Sequence, residues 1–317
     1  MQPLDQRVIN SALQWLGEGR ATWLCTVLST YGSAPRGPGS MLAFSPGLPC
    51  TGSLSGGCVE EDLLQRLANH PLPEVSTLRY GAGGIATGVE LPCGGSLDVL
   101  VESLGPAHLS QLRQIAAALG GRERVLRSIL PHGAALEPCD QPGPTVERRG
   151  QEILIRLGPV QRLLVAGLSP VAQYCAEFAQ ALDFDVVVCD PREGAFERFA
   201  PAGVTCLAQL PARYIAAGHC HAHTAIVALT HDPRLDDLTL MEAVRSPAFY
   251  IGAMGSTRTS ERRFERLRRS GGLDAAALAR VHAPIGLKLG SKTPAHIALA
   301  VLADIVRVAN GVPREQL

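Results

Sequence analysis

Residues 162–190, RLLVAGLSPVAQYCAEFAQALDFDVVVCD, decide how this chain is read. Arg162–Gly167 is a short apolar run of strand character that ends in glycine. Val171–Leu182 has helical spacing, and Asp185–Asp190 is a second β-rich run closed by an acid. Strand, turn, helix, strand, acid is the order of a dinucleotide-binding unit, in which the acid meets a ribose hydroxyl. Asp190 stands 23 positions after Gly167, close to the spacing which that role requires. The turn itself, Gly167-Leu-Ser-Pro-Val-Ala172, keeps one glycine of GxGxxG and places bulk where a pyrophosphate approaches backbone. The order predicts the fold, while the turn argues against the usual ligand.

The alternation continues to the end of the chain. Thr224–Leu229 and Ala248–Ile251 are further strands, and Leu235–Val244, Thr259–Arg269 and Pro294–Asn310 are helices. Such alternation builds a parallel sheet with crossover helices. The expected fold is α/β, with a Rossmann-like doubly wound domain over 159–317. Its ligand-bearing loops lie at the carboxyl ends of the strands. Thr230-His231-Asp232 and Gly252-Ala-Met-Gly-Ser256 fall there, which makes His231, Gly255 and Arg258 candidates beside Gly167 and Asp190. Alternatively, His231-Asp-Pro233 caps the following helix. Gly218–Thr224, GHCHAHT, crowds histidines and a cysteine into a few positions and reads better as a solvated loop than as a metal site.

Residues 1–158 read differently, as a mixed α+β domain. A helix over Asp5–Gly17, strands at Ala21–Thr30, Met41–Phe44, Val75–Tyr80 and Ser96–Ser103, a helix over Pro106–Leu119, and strands at Val125–Leu130 and Ile153–Leu157 are expected. Pro131–Pro144 reads as a Pro/Gly-rich turn region. This half is organised by Thr51–Leu64, TGSLSGGCVEEDLL. A glycine turn there delivers Cys58 to the start of a helix, where unpaired amides and the helix dipole favour anions. Such a position also lowers the pKa of a thiol, although Glu60, Glu61 and Asp62 oppose it. Leu91–Val101, LPCGGSLDVLV, repeats the pairing of cysteine with glycines. Both stretches are either ligand loops or tight turns with buried cysteines.

Composition excludes several classes of function. Lys+Arg and Asp+Glu are both 29, so no net field attracts nucleic acid or an anionic membrane, and 4% aromatics is too few for a base-stacking platform. No apolar window is long enough to span a bilayer, and no secretion signal opens the chain. Nine scattered cysteines with no CxxC fit reduced thiols, hence a cytoplasmic location.

GSAPRGPGSMLAF (32–44), TGSLSGGCVEEDLL (51–64), LPCGGSLDVLVE (91–102), YIGAMGSTRT (250–259) and PIGLKLGSKTPAHIALAVLADIV (284–306) together resemble the XdhC/CoxI family of molybdenum hydroxylase maturation proteins. The resemblance implies a non-catalytic chaperone. Such a protein binds the molybdenum cofactor, guards it while sulfur arrives from a cysteine desulfurase, and passes it to apo xanthine dehydrogenase or a related enzyme. On that reading a phosphate meets Arg36 and the turn of Ser53, Ser55, Gly56 and Gly57, and soft thiolates of Cys58 and Cys93 meet the molybdenum–sulfur centre beside Gly94 and Gly95. The remaining cysteines, such as Cys25, Cys175 and Cys189, are expected in cores. The sequence departs from the family at Gly167, where Ser169-Pro170 replaces a glycine-rich run with histidine. An NAD(P)-dependent oxidoreductase is the alternative function, and a ligand-free adaptor is a third. The faces of 259–269 and 294–310 offer surfaces for a homodimer.

Overall fold

The computed structural model describes residues 2–32, 36–57, 59–69, 72–81, 94–130, 132–139, 141, 143–197, 199–230 and 232–316. The chain divides into two compact units, Leu4–Pro159 and Val160–Leu317.

In the first unit, α1 (Leu4–Gly17) precedes β1 (Thr22–Tyr31), β2 (Met41–Phe44) and β3 (Thr51–Gly52). Helix α2 (Glu60–Asn69), β4 (Val75–Gly81), β5 (Ser96–Leu104) and α3 (Leu109–Gly120) follow. The strands form a five-stranded sheet in the order β3-β2-β1-β5-β4. The registers of β1 with β2 and β5, of β2 with β3 and of β4 with β5 are all antiparallel. One face of the sheet is closed by α2. There Leu54, Val59, Leu63 and Leu67 pack on Cys25, Val27, Leu42, Phe44, Tyr80, Leu97, Val99 and Val101. Alternation along β5 sends Leu97, Val99 and Val101 into this core and turns Asp98, Leu100 and Glu102 to the opposite face.

A second sheet, in the order β7-β6-β9-β8, is built from β6 (Val125–Leu130), β7 (Gly133–Pro138), β8 (Val146–Arg149) and β9 (Glu152–Leu157). It corrects the reading of Pro131–Pro144 as turn alone. Strand β7 is nearly all exposed and β8 half so, which leaves no apolar alternation for a sequence reading to detect. Arg127 on β6 reaches Glu102 on β5 with two bonds, of 2.7 and 2.8 Å, and both side chains are buried.

The second unit contains β10 (Arg162–Ala166), α4 (Pro170–Ala181), β11 (Asp185–Cys189), β12 (Val204–Leu207), α5 (Pro211–Ala216) and β13 (Thr224–Ala228). It continues with α6 (Pro233–Ala243), β14 (Tyr250–Ala253), α7 (Thr257–Gly271), α8 (Ala275–Ala279), β15 (Val281–His282) and α9 (Pro294–Ala309). Six parallel strands run in the order β12-β11-β10-β13-β14-β15. This is the doubly wound order expected from the βαβ pattern, with the reversal between β10 and β13. Strands β10 and β13 are buried along nearly their whole length, as a sheet covered on both faces requires. One apolar core involves α4 and α9 and the other α5, α6 and α7.

No helix among the described residues is long and apolar enough to cross a membrane.

Candidate functional site

The strand directions of the five-stranded sheet gather the motif loops. Tyr31 at the end of β1 faces Ser96 at the start of β5, and Ser96 faces Gly81 at the end of β4. Met41 begins β2, and Gly52 closes β3 opposite Leu42. The connections after β1, β3 and β4 therefore all leave from one end of the sheet. These connections carry Arg36, the Ser53–Gly57 turn and the Gly94–Gly95 pair. Cys58, Cys93 and His231 lie outside the described residues. Arg36 is half-buried, and its side chain makes no ion pair among the described residues.

The Ser53–Gly57 turn is organised by a residue of its own helix. Glu60 Oε1 accepts hydrogen bonds from Ser53 Oγ (2.8 Å), Leu54 N (2.8 Å) and Ser55 N (2.9 Å). Its Oε2 accepts from Gly57 N (3.0 Å), Val59 N (3.2 Å) and Ser55 Oγ. Gly56 N donates instead to Ser53 Oγ at 3.0 Å. Positive φ angles of 82° and 118° at Gly56 and Gly57 make this curl possible, since side-chain-bearing residues avoid that region. Burial alone would raise the Glu60 carboxyl. The hydrogen bonds from Ser55, Leu54 and Ser53 outweigh it and hold the group at about 2. The amides expected to await a phosphate are thus engaged by an internal carboxylate.

On the opposite face near the same end, Asp98 is buried and accepts from Ser29 Oγ at 3.0 Å. Arg79 lies 2.9 Å from one of its oxygens and Arg148 3.6 Å from the other. Burial raises the Cys25 thiol, and it pushes Cys175 and Cys189 up to about 12. These three are core thiols, as the sequence suggests.

In the parallel-sheet unit, the registers level the carboxyl ends of β10, β11, β13 and β14. This places Gly167, Asp190, Thr230 and Gly255 along one edge. Asp190 is fully buried. It accepts from Leu168 N at 2.7 Å, from Arg192 N at 2.9 Å and from Arg192 Nη2 at 2.6 Å. Burial pushes its pKa up, and these partners pull it down further, to a net lowering. The carboxylate expected for a ribose is spent within the chain.

Deeper in that edge, Thr230 Oγ1 donates to Asp236 Oδ1 at 2.6 Å, and Arg263 Nη2 donates to Asp236 Oδ2 at 2.9 Å. Arg263 Nη1 also holds the Met254 carbonyl at 2.9 Å, which ties α7 to the end of β14. Burial pushes Asp236 up to about 6 despite these partners. Asp232 caps α6, accepting from Arg234 N at 2.9 Å, and Ser256 caps α7. Arg258 is exposed on the first turn of α7. Among the described residues no group of three or more His, Cys, Asp or Glu could hold a metal ion. Gly218–Thr224 leads into β13 without helix or strand before Thr224, but it is not solvated throughout: Cys220, His221 and Thr224 are buried, Cys220 in the core beside α5 and α6.

Two family models match: the XdhC and CoxI family over residues 15–81 and the XdhC Rossmann domain over residues 163–305. The chain belongs to the XdhC/CoxI family. It is 26% identical over 308 residues to the molybdenum cofactor insertion chaperone PaoD of Escherichia coli, spanning 95% of this chain and 87% of that protein. It is 23% identical over 316 residues to a probable xanthine dehydrogenase subunit from Bacillus subtilis, spanning 91% of this chain and 93% of that one. A crystal structure described as a xanthine dehydrogenase from Bacillus halodurans shares the fold, with a TM-score of 0.75 at 20% identity over 100% of this chain and 98% of that one.

Within this XdhC/CoxI chain, sequence reasoning passed over Glu60 as an organiser, Arg192 as the partner of Asp190, and the Thr230–Asp236–Arg263 cluster. A signal existed for Glu60. Gly57-x-x-Glu60 has the spacing of half a capping box, in which an acid near the helix start reaches back to the amide three residues before it. Asp190-Pro-Arg192 carried a local signal too, because an aspartate followed by proline favours an Asx-turn in which Arg192 N donates to Asp190 Oδ1. Arg263, whose partner Asp236 is far away in sequence, had no local signal.

Proposed function

We propose that this protein binds the molybdenum cofactor as cargo and inserts it into a molybdenum hydroxylase such as xanthine dehydrogenase. The cargo is an anionic pterin dithiolene whose metal–sulfur centre is soft. The observation that carries this reading is the convergence of three motif loops on one end of the five-stranded sheet. Cys58 and Cys93 are the proposed thiol contacts with the metal–sulfur end, since soft ligands suit a soft centre. Gly94 and Gly95 let backbone approach the cargo closely, and Arg36 is the proposed phosphate contact. Sulfur delivered by a cysteine desulfurase would reach the metal while the cofactor is so held. The name of the Escherichia coli relative supports the insertion role.

The test is to purify the protein, Cys58→Ala and Cys93→Ala from cells with the cofactor pathway active and to assay released pterin by fluorescence. Wild type is expected to carry pterin, and each variant to carry several-fold less while keeping its circular dichroism and melting temperature. A wild-type protein that carries none would overturn the proposal. Unchanged retention in both variants would remove the thiols from it.

A further inference from the structure

We infer that Glu60 is the built-in anion of the Ser53–Val59 turn, organising it in the absence of cargo and excluding phosphate from its amides; its bearing on cargo rests on the function proposed above.

A turn of this composition ordinarily meets an external anion, because its amides point inward with no internal acceptor. Here the acceptor is covalently attached. The amides of Leu54, Ser55, Gly57 and Val59 and the hydroxyls of Ser53 and Ser55 all donate to one carboxylate. Ser55 Oγ in turn accepts from Val59 N at 3.0 Å, and Ser53 Oγ accepts from Gly56 N at 3.0 Å. No turn amide in this set is left for a second anion. A phosphate that displaced Glu60 would have to break these bonds and then lie beside a displaced carboxylate and its neighbours Glu61 and Asp62, with like charges in contact.

The turn itself rests on the core. Leu54 and Val59, at its two ends, are fully buried in the cluster under α2, while Gly56 and Gly57 are exposed. Apolar anchors hold the ends and Glu60 holds the middle. The amides on both chain neighbours of Cys58 are bound to the same side chain. Glu60 is therefore a positioning residue for the stretch that bears the thiol. The charge that meets the cargo's phosphate has to come from elsewhere at that end of the sheet, and Arg36 is the cation placed to supply it.

The experiment uses the isotopically labelled full chain without cofactor, titrated with inorganic phosphate, together with Glu60→Ala. In wild type, amide exchange at Leu54, Ser55, Gly57 and Val59 is expected to be slow, and their resonances to stay in place on adding phosphate. In the variant, exchange at these amides is expected to be about tenfold faster. Equal exchange in the two proteins would overturn the inference. So would a saturable phosphate-induced shift of those wild-type resonances, a measurement that needs no variant and survives a failure of Glu60→Ala to fold. Neither readout involves the cofactor, so a wild-type protein that retains no pterin would sink the function proposed above and leave this result standing.

Discussion

Arg192 Nη2 lies 2.6 Å from Asp190 Oδ2 and 2.6 Å from the Leu168 carbonyl, so one guanidinium bridges the acid at the end of β11 and the turn after β10. In a dinucleotide-binding domain those two places take the ribose and the pyrophosphate. With the acid buried and the turn carrying Leu168, Ser169 and Pro170, the usual ligand meets a closed surface. Calorimetric titration with NAD or NADP at millimolar concentration is expected to give no saturable heat. Stoichiometric binding of either would show that Arg192 swings aside.

Gly167 has φ of +79°, and a Cβ there would lie 1.9 Å from Thr230 Cγ2 and 2.9 Å from Leu235 Cδ2. Strain and overlap act together, so Gly167→Ala is expected to cost about 2–4 kcal/mol in urea denaturation. The glycine is thus required by its backbone conformation and by packing, whatever binds nearby. A loss below about 0.5 kcal/mol would mean that the turn relaxes freely.

Arg127 and Glu102 are 2% and 4% exposed at the side chain. Removing one partner strands a buried charge, so Arg127→Ala is expected to destabilise by about 3–5 kcal/mol. The double variant Arg127→Met with Glu102→Leu should recover most of that loss, because the desolvation penalty disappears with the charges. Denaturation midpoints of the single and double variants decide it.

Glu60 makes an acid-sensitive contribution. Its carboxyl is held at about 2 in the fold, against an ordinary value of 4.5, so between those pH values the unfolded chain binds the extra proton. The contribution is complete above about pH 4.5 and disappears as pH falls toward 2. The group is half-exposed, and after allowance for solvent screening the expected size is on the order of 1–2 kcal/mol. Stability of wild type minus that of Glu60→Gln, measured by denaturant from pH 7 downward, should shrink through that window. A constant difference would contradict the assignment.

The parallel-sheet unit was legible because each of its signals is local: an apolar run, a helical stripe, an acid at the right distance. Strand β12, the helix α5 and the pair α8–β15 were not read, being short and weakly patterned. In the other unit the spans of β2 and β6 were read as they are, but the order β3-β2-β1-β5-β4 was not, since antiparallel pairing joins residues far apart in sequence. That order is what gathers the motif loops, so their content was visible and their convergence was not. Asp190 shows the same limit. Its spacing from Gly167 is written in the sequence, whereas its engagement by Leu168 N and the Arg192 guanidinium is a product of folding.

A turn that carries its own carboxylate has a bearing on unloading. Were its shape borrowed from a guest, each delivery would leave behind a collapsed segment to be rebuilt before the next round. If the protein carries cargo as proposed, the bonds to Glu60 would give its empty and laden forms one local architecture, and handing over the burden would disturb no backbone there. On that proposal the affinity would be set by side chains, and it need only be low enough for the receiving enzyme to win.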